Sequence, residues 1–240
     1  MATRSRGKEG SDDRLFGDPK MQSKMREAIK DQSYLLSRGF SEKSSLQLVG
    51  NRYKLNNRQQ RAVQGMSEAS GKLTKRAERC LQPNQLAQKE VMLDGFNVLI
   101  MLESALSGAF LFKGLDGCYR DLSSVHGTYK KVKQTDKAIH LIADFLQKHK
   151  IKKAIWIFDK PVSNSGRLKT ILREIADEHN YNWEISLDNN PDKLIAESGN
   201  ISISSDAWIL DNSNSWCNMV RHIVDVEIPQ KNVVESDNIN

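Results

Sequence analysis

Apolar residues between positions 20 and 66 recur at the spacing of amphipathic helices. The first predicted helix runs from position 20 to 38 and carries four apolar residues near one face, Met21, Met25, Ile29 and Leu36. Gly39 supplies a C-terminal stop, and Ser41 can cap a second helix. Asn56 or Asn57 can cap a third helix. The pattern therefore predicts a small helical module.

After residue 90 the pattern alternates between short apolar runs and helical periodicity. The predicted strands are 91–93, 153–158, 182–187 and 200–204, and the predicted helices are 98–106, 135–148, 167–179 and about 216–224. A further short strand at 226–228 would close one edge. Strands that alternate with helices are typical of a doubly wound parallel sheet, so the fold class is α/β.

Composition shifts divide the chain into five segments. Residues 1–19 are polar and broken by Gly and Pro, which predicts a flexible leader. A basic helical domain at 20–79 and a linker at 80–90, interrupted by Pro83, come next. The α/β domain then covers 91–228, and 229–240 form a frayed tail.

The 240 residues are 38% hydrophobic and 28% charged, which is typical of a soluble globular protein. No apolar run reaches the length of a membrane span, and the first 20 residues lack the apolar core of a signal peptide. Cys80, Cys118 and Cys217 form no CxxC pair, which argues against a disulfide framework and a zinc knuckle. We expect a cytoplasmic protein with no membrane partner.

The net charge of +6 is unevenly distributed. Residues 1–79 hold 18 Lys and Arg against 9 Asp and Glu, whereas the remainder holds 18 against 21. One interpretation is a helix-turn-helix with Arg58 and Arg61 on the recognition helix, where they would grip phosphates. The other is a three-helix bundle whose exposed face is basic.

Each of the four predicted strands ends on or just before an aspartate, namely Asp94, Asp159, Asp188 and Asp206. Parallel strands have their carboxyl ends at one edge of the sheet, where open α/β folds bind ligands. Each aspartate could instead cap the following helix. Capping explains Asp94 less well, because Gly95 follows at once and Asn97 adds another oxygen.

Several uncompensated carboxylates at one edge repel each other, and a divalent cation relieves that repulsion. Oxygen ligands of this kind suit Mg²⁺ or Mn²⁺. The expected metal ligands are Asp94, Asp159 and Asp206. The sequence contains no P-loop and no GxSxG elbow, and it lacks the DxD of aspartyl-phosphate phosphatases.

The strand followed by DGFN resembles the opening of the NYN and PIN-like nuclease superfamily. Further stretches, among them LDGFNVLIMLESALSG, FDKPVSNSGRL and NNPDKLIAESGNISISSDAWILD, resemble a bacterial and archaeal family of uncharacterised proteins with a PIN-like carboxyl-terminal domain. This resemblance covers residues 12 to 226. It implies a doubly wound sheet with an acidic metal site that hydrolyses RNA.

The resemblance also implies roles for individual residues. Asp94 takes the place of the first-strand aspartate with Asn97 beside it, Asp159 is the second acid, and Asp206 and Asp211 are the late acidic pair. The mid-domain acid is either Asp116 or Asp121.

Other polar residues are candidates for contacts with the substrate. Arg120, Lys160 and Arg167 could hold a phosphate. Asn164 belongs to a turn at 163–166 that either binds an anion or serves as a helix cap. His126 is either a proton shuttle or a structural histidine.

The sequence thus predicts a Mg²⁺- or Mn²⁺-dependent endoribonuclease whose partner is a nucleic acid, with RNA as the first choice. The alternative is a nucleic-acid-binding or regulatory protein whose PIN-like domain does not cut. The oligomeric state, a homo-oligomer included, stays open.

Overall fold

The computed structural model describes residues 6–123 and 128–236. Its helices are α1 (Asp12–Phe16), α2 (Pro19–Ser37), α3 (Glu42–Arg52), α4 (Asn57–Met66), α5 (Ser70–Arg79), α6 (Gly95–Leu106), α7 (Thr135–Lys148), α8 (Ser165–His179), α9 (Pro191–Glu197), α10 (Ala207–Asn212) and α11 (Met219–Glu227). Its strands are β1 (Cys80–Leu81), β2 (Glu90–Asp94), β3 (Phe110–Lys113), β4 (Tyr119–Arg120), β5 (Lys153–Asp159), β6 (Trp183–Asp188), β7 (Ile201–Ile203), β8 (Trp216–Cys217) and β9 (Asn232–Glu235).

The three helices predicted from the amino-terminal pattern are α2, α3 and α4, and their caps explain where they start. The Ser41 side chain accepts a hydrogen bond from the backbone N–H of Ser44 at the start of α3. Asn56 and Gln59 form a reciprocal capping box at the start of α4. Both caps satisfy backbone N–H groups that have no partner inside the helix.

The main sheet has six parallel strands in the order β1-β8-β7-β2-β5-β6. After β2 the chain adds β5 and β6 on one side and then returns to place β7 and β8 on the other. The strand order therefore reverses at β2. The crevice beyond the carboxyl ends of β2 and β7 is the position where such sheets bind ligands. The predicted α/β class and parallel sheet are confirmed.

The sheet is buried on both faces. The larger core, which includes Trp156, Phe158 and Leu93, lies between the sheet and α6, α7, α8 and α11. On the other face, Met92, Ile155 and Ile157 pack against Ile195 of α9 and Ile209 of α10. Because both faces are covered, β2 and β5 are almost continuously apolar until their final aspartates.

The small sheet β4-β3-β9 connects the helical module to the α/β part. Alternate residues of β3 point in opposite directions. Phe110 and Phe112 belong to the same core as Phe16 and Met25, whereas Leu111 belongs to the core of the main sheet. The two parts of the chain therefore share one strand and are packed together.

Three segments that the sequence predicts to be irregular contain regular structure. Part of the leader forms α1, where the buried Phe16 contacts the Phe112 ring at a centroid distance of 4.8 Å. The linker contributes β1, an edge strand of the main sheet. The tail contributes β9, which pairs with β3. All three gain order from pairing or burial against distant residues, which local composition does not report.

The predicted strand at 226–228 is wrong, because residues 226 and 227 continue α11. Likewise, the start of the predicted helix near 216 is the strand β8. Very short strands carry too few residues to show a period of two, so both errors arise from the same limit.

Gly95, the first residue of α6, occupies a position where there is no space for a side chain. A Cβ at this position would run into the Phe158 ring. That ring is fully buried and stacks edge-on against Phe96 at a centroid distance of 5.0 Å, so it has no room to move. The glycine after Asp94 therefore lets α6 start directly above β5.

We expect Gly95→Ala to lower the free energy of unfolding by about 1–3 kcal/mol through overpacking against Phe158. The matched control is Gly166→Ala in the first turn of α8, where an added Cβ meets nothing within 4 Å. That control should be neutral or more stable by about 0.5–1 kcal/mol. Urea unfolding of both variants checks the pair, and equal stabilities would contradict the steric role of Gly95.

Candidate functional site

Asp94 stands at the carboxyl end of β2 and is both a helix cap and part of a cavity wall. Its side chain accepts a hydrogen bond of 3.4 Å from the backbone N–H of Asn97 and one of 2.8 Å from the Ser204 hydroxyl. The carboxyl group also lines a cavity of about 990 Å³. Asp94 is therefore a helix cap, the interpretation that its sequence context favours less, and it also lines the cavity.

Burial raises the pKa of Asp94 to about 7. The hydrogen bond from Ser204 works in the opposite direction, but the neighbouring carboxylates of Asp192 and Asp206 raise the pKa further. Both effects penalise the charged form, since it loses water and meets like charge. Asp94 is thus a carboxyl group that changes protonation near neutral pH.

Asn97 fixes the loop after β7. Its Oδ1 accepts two hydrogen bonds of 2.9 Å, one from the backbone N–H of Ser205 and one from the Ser205 hydroxyl. This joins the first turn of α6 to the residue before Asp206. Asn97 therefore positions the second acidic segment beside Asp94.

Three more carboxylates line the same cavity: Asp159, Asp192 and Asp206. Asp206 caps α10 and accepts hydrogen bonds from the backbone N–H groups of Trp208 and Ile209. Burial raises the pKa of Asp159, and burial followed by the charges of Asp206 and Asp159 raises that of Asp192. The charges that act on Asp94 and Asp192 are thus other carboxylates. We call these three residues and Asp94 the acidic cluster.

Asp192 is a site residue that the sequence reading missed. It lies in the first turn of α9 behind Pro191, after the strand that ends on Asp188. Acidic residues are common in the first turn of a helix, so the sequence pattern does not mark Asp192 as a site residue. Its position four residues after Asp188, the end of the third predicted strand, was the signal available. Asp188 itself accepts a hydrogen bond from the backbone N–H of Asn190 and does not line the cavity.

A second group of carboxylates that line the cavity is paired with arginines. Arg76, which is 1% exposed, contacts Asp116 at 2.8 Å, Asp211 at 2.6 Å and Glu68 at 2.6 Å. Arg120 contacts Asp116 at 2.6 Å. Burial alone would raise the pKa of Asp116, but these arginines hold it at about 2. Asp116 and Asp211 therefore line the cavity as ion-pair partners, and Arg120 is committed to Asp116.

Asp121 also lines the cavity, and its side chain accepts a hydrogen bond of 2.5 Å from the Ser104 hydroxyl. Burial raises the pKa of Asp121. Both candidates for the mid-domain acid therefore line the cavity, Asp116 paired with arginines and Asp121 hydrogen-bonded to a hydroxyl. His126 lies outside the described residues.

The cavity lining does not include Lys160, Asn164 or Arg167. Asn164 has a left-handed backbone with φ of 70° and donates a hydrogen bond from Nδ2 to the carbonyl oxygen of Tyr129. The Asn164 side chain therefore holds the neighbouring loop and makes no hydrogen bond that caps α8. Lys160 and Arg167 are exposed and do not line the cavity.

Arg58 and Arg61 have different surroundings on α4. Arg58 contacts Asp12 and Glu9, each at 2.7 Å, and Gln59 is 2% exposed. Arg58 is therefore already paired with carboxylates of the amino-terminal segment, which argues against its predicted role in binding phosphates. Arg61 is exposed and lines the cavity. Among the described residues its guanidinium has no ion pair.

The acidic cluster offers the oxygen donors that Mg²⁺ or Mn²⁺ prefers. Within residues 6–123 and 128–236, no group of three or more His, Cys, Asp or Glu side chains is already arranged to hold a metal ion. Mg²⁺ usually keeps several waters and needs one or two protein carboxylates. The donor chemistry and the uncompensated charge therefore fit such an ion.

Residues 83–222, which contain the whole acidic cluster, match the family described as Domain of unknown function (DUF5616). This match covers more than half of the chain. The chain belongs to the DUF5616 family. A second model, described as Protein of unknown function (DUF434), matches residues 24–79, which include Arg61 and Arg76. The cavity thus lies where the DUF5616 region faces the DUF434 region.

A relative of this DUF5616 protein is the uncharacterized protein MJ0935 of Methanocaldococcus jannaschii. It is 32% identical over 201 residues, which are 83% of this chain and 92% of the archaeal protein. No solved structure matches the chain. None of the described helices combines the length and apolar content that a bilayer span needs.

The raised pKa of Asp94 predicts a specific dependence of stability on pH. A carboxyl group whose folded pKa lies above its ordinary value of 3.8 favours folding fully at low pH. That contribution is lost as pH rises through about 7 and amounts to at most roughly 4 kcal/mol. We expect Asp94→Asn, which keeps an oxygen for the Ser204 bond, to be more stable than the natural protein at about pH 8.

At about pH 4 the two proteins should have similar thermal midpoints, because Asp94 is then protonated. Asp188→Asn, at a strand end outside the cavity, is the control and should show no such difference. Thermal unfolding of all three proteins across the pH range checks this. If the natural protein is more stable than Asp94→Asn at high pH, the charged form of Asp94 does not destabilise the fold.

Proposed function

We propose that this DUF5616 protein is a Mg²⁺- or Mn²⁺-dependent endoribonuclease that hydrolyses phosphodiester bonds at the acidic cluster. The observation that carries the proposal is the asymmetry of the cavity. In one group of lining residues, carboxylates are paired with Arg76, Arg120 and Lys72. In the acidic cluster, burial and then the charges of Asp192 and Asp206 raise the pKa of Asp94 to about 7. A cation would resolve this imbalance.

One or two carboxylates of the acidic cluster, Asp94 among them, would hold the metal ion, and water would supply its other ligands. When bound, such an ion supplies an activated water and offsets charge on the phosphate. Asn97 contributes by holding the loop of Ser205, since this fixes Asp206 relative to Asp94. The site therefore depends on residues from three strand ends and one helix start.

Arg61 is the cavity residue that we assign to the substrate phosphate. Its guanidinium is exposed, lines the cavity and has no ion pair among the described residues. Arg76 and Arg120 also line the cavity, but each already binds carboxylates. A planar guanidinium can bind a phosphate through two hydrogen bonds. The helical module thus supplies a residue to a site that the α/β part builds.

The purified protein should cleave single-stranded RNA in Mn²⁺ and stop when EDTA is added. Asp94→Asn and Asp192→Asn should each lower the rate by at least ~10²-fold, because each removes charge from the site where the metal would bind. The rate is measured as the appearance of fragments on a denaturing gel.

Asp188→Asn is the matched control, since it removes a strand-end carboxylate outside the cavity, and it should cleave normally. Cleavage that survives both EDTA and Asp94→Asn would overturn the metal mechanism. RNA binding without any cleavage would favour the alternative, a nucleic-acid-binding protein that does not cut.

A second test reads ion binding without any substrate. If Mn²⁺ binds the folded acidic cluster and not the unfolded chain, it should stabilise the protein by about 2.7 kcal/mol at a hundredfold excess over its dissociation constant. The thermal midpoint should rise with Mn²⁺ in the natural protein and in Asp188→Asn. Asp94→Asn should lose most of this response, and an equal response in that variant would place the ion elsewhere.

A further inference from the structure

Two large aromatic rings of the cavity wall are exposed to solvent. Phe40 is 56% exposed and Trp208 is 47% exposed, and both line the cavity. Phe40 follows α2 in the helical module, whereas Trp208 belongs to α10 in the α/β part. Trp156 and Trp216, by contrast, are at most 1% exposed. Exposed aromatic rings at an open cavity are surfaces that a planar ligand can cover.

Trp208 is carried by a firmly held helix. Its backbone N–H donates to Asp206, a member of the acidic cluster. The guanidinium of Arg79 donates to the carbonyl oxygens of Leu210, Asp211 and Ser213 at the other end of α10. Since both ends of α10 are fixed, the backbone that carries the Trp208 ring is held two residues from a carboxylate of the site.

The charge of the cavity decides which part of a nucleic acid can bind to it. Its lining contains nine Asp and Glu residues against four Lys and Arg residues, and the side chains of Arg76 and Arg120 are already paired. Such a wall gives little attraction to a run of phosphates, because that attraction depends on unpaired cations. The bases must therefore contribute much of the binding energy. Aromatic rings provide it by stacking, whatever the base.

We propose that Trp208 is a stacking platform for an unpaired base of a single-stranded nucleic acid, with Phe40 as a second aromatic contact from the helical module. This inference deepens the proposed function and rests on it. The bases of a duplex are stacked on each other and cannot cover Trp208, so the site selects single strands. Trp208 would set the position of the strand, because it adjoins Asp206.

The test measures binding in EDTA, so that no cleavage is needed. Fluorescence anisotropy is recorded with a fluorescein-labelled adenine RNA of about 12 nucleotides and with the matching duplex. Trp208→Ala should weaken binding of the single strand by roughly 5- to 100-fold, whereas Trp208→Phe should keep most of it. Phe40→Ala should weaken it in the same direction. The natural protein should bind the duplex more weakly than the single strand.

Tyr34→Ala is the matched control, because Tyr34 is an exposed aromatic residue that does not line the cavity. It should bind the RNA normally. As a second readout, the single strand should quench the tryptophan fluorescence of the natural protein. Trp183→Phe should preserve this quenching, and Trp208→Phe should abolish it.

Trp208→Ala that binds the single strand as tightly as the natural protein would overturn the inference, as would a duplex bound as tightly as the single strand. The two proposals fail separately. If a base stacks on Trp208 but Mn²⁺ supports no cleavage, the nuclease proposal fails and the stacking proposal stands. If RNA is cleaved equally well when Trp208 is replaced, the stacking proposal fails and the nuclease proposal stands.

Discussion

The ion pairs of Arg76 hold the two parts of the molecule together. This guanidinium is buried on α5, and it contacts carboxylates from a loop of the small sheet and from α10. A buried charge without partners is very unfavourable, and removing one side of such a pair typically costs about 3–5 kcal/mol. The alignment of α5 with α10 is therefore strongly constrained. Trp216 adds to it by donating from its indole N–H to the carbonyl oxygen of Arg76.

This arrangement explains why the carboxylates of one cavity have opposite properties. Asp116 lies beside two guanidinium groups, and its pKa is held at about 2. Asp94 is buried beside other carboxylates, and its pKa is raised to about 7. The arginine pairs stabilise the folded state, whereas the burial of Asp94 beside other carboxylates destabilises it. The carboxylates of the cavity thus form two groups with opposite electrostatic surroundings.

The DGFN segment serves packing and site construction together. Gly95 allows α6 to start against Phe158, Asp94 caps that helix, and Asn97 reaches across to Ser205. A change at any of these residues would alter both the packing of α6 and the geometry of the acidic cluster. This coupling follows from the position of the segment at the strand where the sheet order reverses.

Local sequence patterns were sufficient for the long elements and for the edge of the sheet where the site lies. The helical period predicts α2, α7 and α8, and the aspartates that end β2 and β5 predict a shared edge, because parallel strands require it. The caps of α3 and α4 could also be predicted from the sequence, since each depends on residues within one turn.

Tertiary structure alone decided which carboxylates remain without cationic partners. Asp116 and Asp211 look like site residues in the sequence, yet Arg76, which is 135 positions before Asp211, neutralises both. Asp192 looks like an ordinary helix start, yet the fold brings it beside Asp206. Arg58 and Arg61 are three residues apart, but α1 covers the first of them and leaves the second at the cavity. Charge pairing depends on distances between residues far apart in the chain, and no local pattern encodes those distances.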